Sequence, residues 1–116
     1  MLLDPGKLNK RIQIERPVAN TSFKGAGSGQ WEAVGKPVWA EVEDMLPSRG
    51  ERLAGGINVA TRPARVRMRY RAGITPDMRF VMGARVMPIV AGPAEIDGGD
   101  GLEFMVEDYS TAGSGA

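Results

Sequence analysis

Between Ala64 and Arg71 the chain alternates without exception: Val66, Met68 and Tyr70 fall on one side, and Arg65, Arg67, Arg69 and Arg71 on the other. A period of two is that of a β-strand, whose successive side chains point to opposite faces. Guanidinium groups stay charged and cannot be left unpaired in an apolar interior. The segment must therefore present one face to a core and the other to solvent or a partner. The same period recurs along the chain. Ile12 and Ile14 alternate with Arg11, Gln13 and Glu15, and Pro17 ends that run or marks an edge. Within Pro37–Met45, Val38, Ala40 and Val42 oppose Trp39, Glu41 and Glu43. Near the end, Leu102, Phe104 and Val106 oppose Glu103, Met105 and Glu107.

Shorter strands are expected at Met78–Met82 and Arg85–Ala91, joined by a turn at Gly83-Ala84, with Pro88 at an edge or bulge. Ala72 to Asp77 reads as turn chemistry, and Asp97-Gly98-Gly99-Asp100-Gly101 as a hairpin tip. The 16 glycines and 8 prolines supply many turns and argue against long helices. These features predict an all-β domain over residues 1–109: a small antiparallel β-barrel of about six strands with a long internal loop or short helix.

Two stretches break the pattern. Ala19–Lys36 is rich in glycine and reads as a long loop or wide hairpin that carries Phe23 and Trp31. Trp31 either begins a strand that packs on the barrel or belongs, with Phe23, to a loop tip that docks on another subunit. Residues 46–62 read as an internal loop or helix of about two turns: Ser48 and Glu51 fit a capping box, and Gly55-Gly56 supplies a stop. Such a short helix needs a partner surface. Residues 110–116 are small and polar and are expected to form a flexible tail.

The composition restricts the chemistry. With no Cys and no His, disulfides, the usual zinc sites and Cys- or His-based nucleophile systems are excluded. Asp97 and Asp100 lack the ligand ladder of a calcium loop. Gly25-x-Gly27-x-Gly29 lacks the lysine and following helix of a phosphate loop. Glu41 and Glu43 are better read as strand surface than as a glycosidase pair. No catalytic, cofactor or metal site is expected. No apolar run is long enough to span a bilayer, and no signal-peptide core opens the chain, so a soluble protein made in the cytoplasm is expected.

Net charge is only +1, but the charges are separated. Residues 62–85 hold seven arginines and one acid, Asp77; residues 95–108 hold six acids and no base, namely Glu95, Asp97, Asp100, Glu103, Glu107 and Asp108.

The order of features resembles the phage head-tail joining family, the stopper or head-closure proteins of long-tailed phages, some of which serve gene transfer agents. The pieces are Gly6-x-Leu8-x-x-Arg11-Ile12-x-Ile14, then Trp31, then Val38-Trp39-Ala40-x-Val42 and Glu51. Arg69-Tyr70-Arg71-x-Gly73-Ile74-Thr75-Pro76-x-Met78-Arg79 and Arg85-x-x-x-Ile89 follow. The chain departs at Met87-Pro88, where members often carry an aromatic, and at Lys24, where they often carry an acid. The resemblance implies a non-enzymatic β-barrel that forms a ring, six- or twelve-fold, at the neck of a virion or phage-like particle assembled in the bacterial cytoplasm. Its implied neighbours are the portal or adaptor ring, the tail terminator or tail tube, and the packaged double-stranded DNA. No membrane is involved.

Three readings of the arginine row stay open. Arg65, Arg67, Arg69 and Arg71 form a solvated face paired with Glu41 and Glu43, or a contact to the acidic region of the next ring subunit, or a contact to DNA phosphates. The segment with Ser48, Glu51, Gly55 and Gly56 is a packed crossover or a gating and docking element. The rival functions are an OB-like nucleic-acid-binding barrel and a tail terminator or other tail-side component.

Overall fold

A computed structural model describes residues 2–18, 30–46 and 59–111, with the side chains of 59–61 and 109–111 excepted. Its strands are β1 (Lys10–Pro17), β2 (Trp31–Ala33), β3 (Val38–Asp44), β4 (Val59–Arg69), β5 (Arg79–Met82), β6 (Arg85–Ile96) and β7 (Gly101–Thr111). All pairings are antiparallel. The order β1-β3-β4-β7-β6-β5 closes on itself through a β1–β5 pairing, which makes a six-stranded barrel with β2 as an extra strand. Closure removes the free edges that an open sheet would present.

The alternation set this architecture. Ile12, Ile14, Ala40, Val66, Met68, Leu102, Phe104 and Val106 all turn inward, and no polar or charged residue is buried among the described residues. Phe80 and Phe104 meet edge to face in the centre, with ring centroids 5.0 Å apart and planes at 81°.

Three segments differ from the sequence expectation. β4 begins at Val59, so residues 59–62 are strand, not part of the internal loop; their backbone pairs fully with β7. β7 correspondingly runs to Thr111, two residues into the stretch read as a tail. Pairing satisfies backbone groups whatever the side chains are, so it carries the ladder past the last apolar alternation. β6 is longer than expected and continues to Ile96 through a cis Gly92–Pro93 bond. The alternation is lost there because the register to β7 slips twice, between Ile89 and Ala91 and between Ala91 and Ala94. Gly92 has φ +107°, and a β-carbon on it would lie 2.8 Å from the Glu103 carbonyl oxygen. Only glycine fits so close an approach.

β2 and β3 lie along the same edge of β1: Ala33 faces Glu15 and Val38 faces Ile12. Five steps on one strand thus oppose three on the other, and the surplus is absorbed around Gly35, whose φ is +68°. The Gln13 side chain donates to the Gly35 carbonyl at 3.2 Å.

Candidate interface surfaces of the barrel

The outward residues of β3, β4 and β7 form a ladder of alternating charge. Arg65 pairs with Glu43 on β3. Arg67 turns the other way and binds Glu103 on β7 at 2.7 Å, with the two side chains 13% and 29% exposed. Glu41 stands opposite Arg67 in register, yet among the described residues its Oε1 has no hydrogen-bond partner, and neither has Arg65 Nε. The basic row and the acidic region therefore meet inside one chain, because β4 and β7 are adjacent in the barrel. Sequence separation concealed this: Arg67 and Glu103 are 36 residues apart.

A second cluster crosses four consecutive strands. Arg85 on β6 reaches Asp108 on β7 at 3.1 Å and Asp44 on β3 at 2.6 Å; Arg62 on β4 lies 3.7 Å from Asp108 and 3.8 Å from Asp44. The Arg85 side chain is only 10% exposed. Its two bridges tie the start of β6 to the far ends of β7 and β3. Sequence reasoning did not find this cluster; the signal, Arg62 and Asp108 as register partners, requires knowing the β4–β7 pairing.

At the opposite end of these strands the N-terminal segment is clasped. The Asp97 carboxylate, in the β6–β7 turn, accepts from the Leu2 and Leu3 amides at 2.6 Å each, and Leu3 is buried. Arg67 Nη1 donates to the Leu2 carbonyl at 3.2 Å. The Leu2 amide foremost, then that of Leu3, holds the Asp97 carboxyl below its ordinary value of 3.8. The other acids diverge. Glu103 and Asp108 are bound to arginines as described, whereas Glu95 and Asp100 are exposed and form no ion pair among the described residues. The Glu107 side chain is half-buried beside them on β7.

The remaining arginines of the row have different surroundings. Arg69 ends β4, is exposed, and forms no ion pair among the described residues. Arg71 lies beyond the strand, its guanidinium against Gly35. Trp31 begins β2, and the Arg79 guanidinium covers its ring at 4.0 Å while binding Glu15 at 2.9 Å. Phe23 and the segment with Ser48, Glu51, Gly55 and Gly56 lie outside the described residues. No group of three or more acids among the described residues is placed to hold a metal ion.

Comparison with known proteins gives a consistent picture. The sequence model of a family described as phage head completion protein matches residues 3–108. The fold is similar to a protein of Shigella flexneri 2a solved in solution, with TM-score 0.63 and 26% identity over 91% of this chain and 96% of that one. It is also similar to a chain in the virion of a native gene transfer agent particle, with TM-score 0.69 and 24% identity over 89% of this chain and 96% of that one. No protein of curated function matches.

Proposed function

The chain belongs to the phage head completion protein family, and from that premise we propose that it forms a ring between the portal or its adaptor and the tail, closes the filled head and docks the tail. Family membership makes it a structural part of the head–tail region of a phage particle. The family match through almost the entire barrel carries the reading, since residues 3–108 include every strand except the last three residues of β7. The likeness to a chain of a gene transfer agent virion supports a place in a particle of this kind.

The barrel supports a connector in two further ways. Its closed six-stranded wall and apolar interior make a rigid block, and no pocket among the described residues is lined by convergent reactive groups. Its six closed strands also differ from the five-stranded, partly open OB barrel. Particles produced without this protein test the proposal by electron microscopy. Emptied heads beside free tails are expected; filled heads with tails attached would reject it.

A further inference from the structure

At one end of the barrel, three depressions of about 520, 570 and 190 Å³ run into one another. The first two share Trp39 and Arg69, and the second and third share Tyr70, Arg71 and Ala72. Together they form a groove. It begins against Pro5 and Leu8 of the N-terminal segment, passes the start of β3 and the end of β4, and finishes at Pro93 and Glu95 of β6. Its walls are held in place before anything binds. The Tyr70 amide donates to the Asp100 carbonyl at 3.0 Å, which ties the chain just past β4 to the β6–β7 turn. The Arg11 guanidinium lies over the Trp39 ring, 5.2 Å from its centroid, and so orders the indole. A preformed groove spends little free energy on ordering when it is filled.

The residues of the groove suit a polypeptide. Trp39 and Tyr70 are 53% and 51% exposed, and the buried Met68, Ile74 and Leu102 are among the apolar residues beside them. Exposed aromatics next to arginines over an apolar base have the composition of a protein-binding centre. The charge is one-sided. Arg69 and Arg71 line the middle of the groove, and no acid lines the first two depressions among the described residues. Arg69 forms no ion pair among the described residues, so it is available to an incoming carboxylate. Glu95 lines the third depression, and the exposed Asp100 lies next to Tyr70. A phosphate backbone following the groove would run from the arginines onto these two carboxylates. A polypeptide can carry its charge at one end alone.

We propose that this groove binds an extended acidic segment of another protein. An apolar or aromatic side chain of that segment sits between Trp39 and Tyr70, its carboxylates meet Arg69 and Arg71, and the part that reaches Pro93 carries no acid. Charge complementarity of this kind fixes the direction in which the segment lies. The inference deepens the docking role given above, and rests on it for the partner being a component of the same particle.

A ribosome-displayed library of random peptides, selected against the purified protein, tests it. Sequences with aspartate or glutamate beside an aliphatic or aromatic residue are expected to be enriched. Their affinity should fall at least about tenfold for Arg69→Glu and for Trp39→Ala. Both positions are exposed, and circular dichroism of each variant should match that of the wild type. No enrichment, enrichment of acid-free sequences, or affinities unchanged by both substitutions would overturn the proposal. An oligothymidylate that binds the groove more tightly than any selected peptide would overturn it too, and would reassign the arginines to phosphate. Each of these results leaves the connector reading intact, because that reading fails on a different observation: filled, tailed particles made without the protein.

Discussion

Arg67→Glu and Arg69→Glu make the same charge change on the same face of one strand, two residues apart, and should have opposite consequences. Arg67 is nearly buried, binds Glu103 at 2.7 Å, donates to the Leu2 carbonyl and stands in register with Glu41. A glutamate there would lose both contacts and place three carboxylates side by side across β3, β4 and β7. Removing one partner of a buried ion pair costs about 3–5 kcal/mol. Glu103 can regain some water at 29% exposure, which lowers the expected loss to about 2–4 kcal/mol. At about 4 °C per kcal/mol for a domain of this size, the melting temperature should fall by about 8–16 °C. Arg69 is exposed and outside every ion pair among the described residues, so its reversal should change stability by no more than about 0.5 kcal/mol. Thermal unfolding of the two purified variants, followed by circular dichroism, measures both. Equal shifts, or an Arg67→Glu melting temperature within about 2 °C of wild type, would refute the assignment of Arg67 to the fold and of Arg69 to the exposed surface.

Other substitutions test the barrel and its clasp. Phe104→Ala removes the edge-to-face partner of Phe80 from a fully packed centre and should cost about 3–5 kcal/mol in urea unfolding; a loss below about 1 kcal/mol would mean that the core is not packed as described. Gly92→Ala puts a β-carbon 2.8 Å from a backbone oxygen at φ +107°, and should destabilise by about 2 kcal/mol or more by the same measurement. Asp97→Asn should speed amide exchange at Leu2 and Leu3, read by NMR, while leaving exchange in β4 and β7 unchanged. Because the folded Asp97 is held below 3.8, the clasp is fully present above that pH and is lost as pH falls through the lower folded value. Leu2 and Leu3 exchange in the wild type should therefore lose protection on acidification, and in Asp97→Asn it should not change over that window.

The strands were legible wherever one face is buried, since burial forces period two: 11–15, 38–43, 64–69 and 102–107 all read correctly from their side chains. Legibility failed where backbone pairing, and not burial, fixes conformation. The start of β4, the end of β7 and the bulged half of β6 carry no alternation to read. The charge split in the sequence was real, but its meaning depended on strand order. β7 returns beside β4, so Arg67 finds Glu103 in its own chain, and Arg85 reaches Asp44 and Asp108 across strands distant in sequence. Arg69 and Arg71 could be singled out only once the positions of their neighbours were known. The Trp39 groove needs tertiary structure, because it joins the N-terminal segment to the ends of β3 and β4.

The filled interior has a consequence for anything the assembled protein surrounds. Phe80, Phe104, Met68 and Met87 are fully buried in the barrel, so its described interior is filled by side chains and offers no bore. In the ring proposed above, a passage wide enough for a double helix would be the hole left at the centre of several copies. Its width would be set by how many copies close the circle and by the angle between neighbours, and the number of strands in each barrel would play no part. Substitutions at a contact between copies would act on the diameter of that hole, whereas those in the core would act only on whether each barrel keeps its shape.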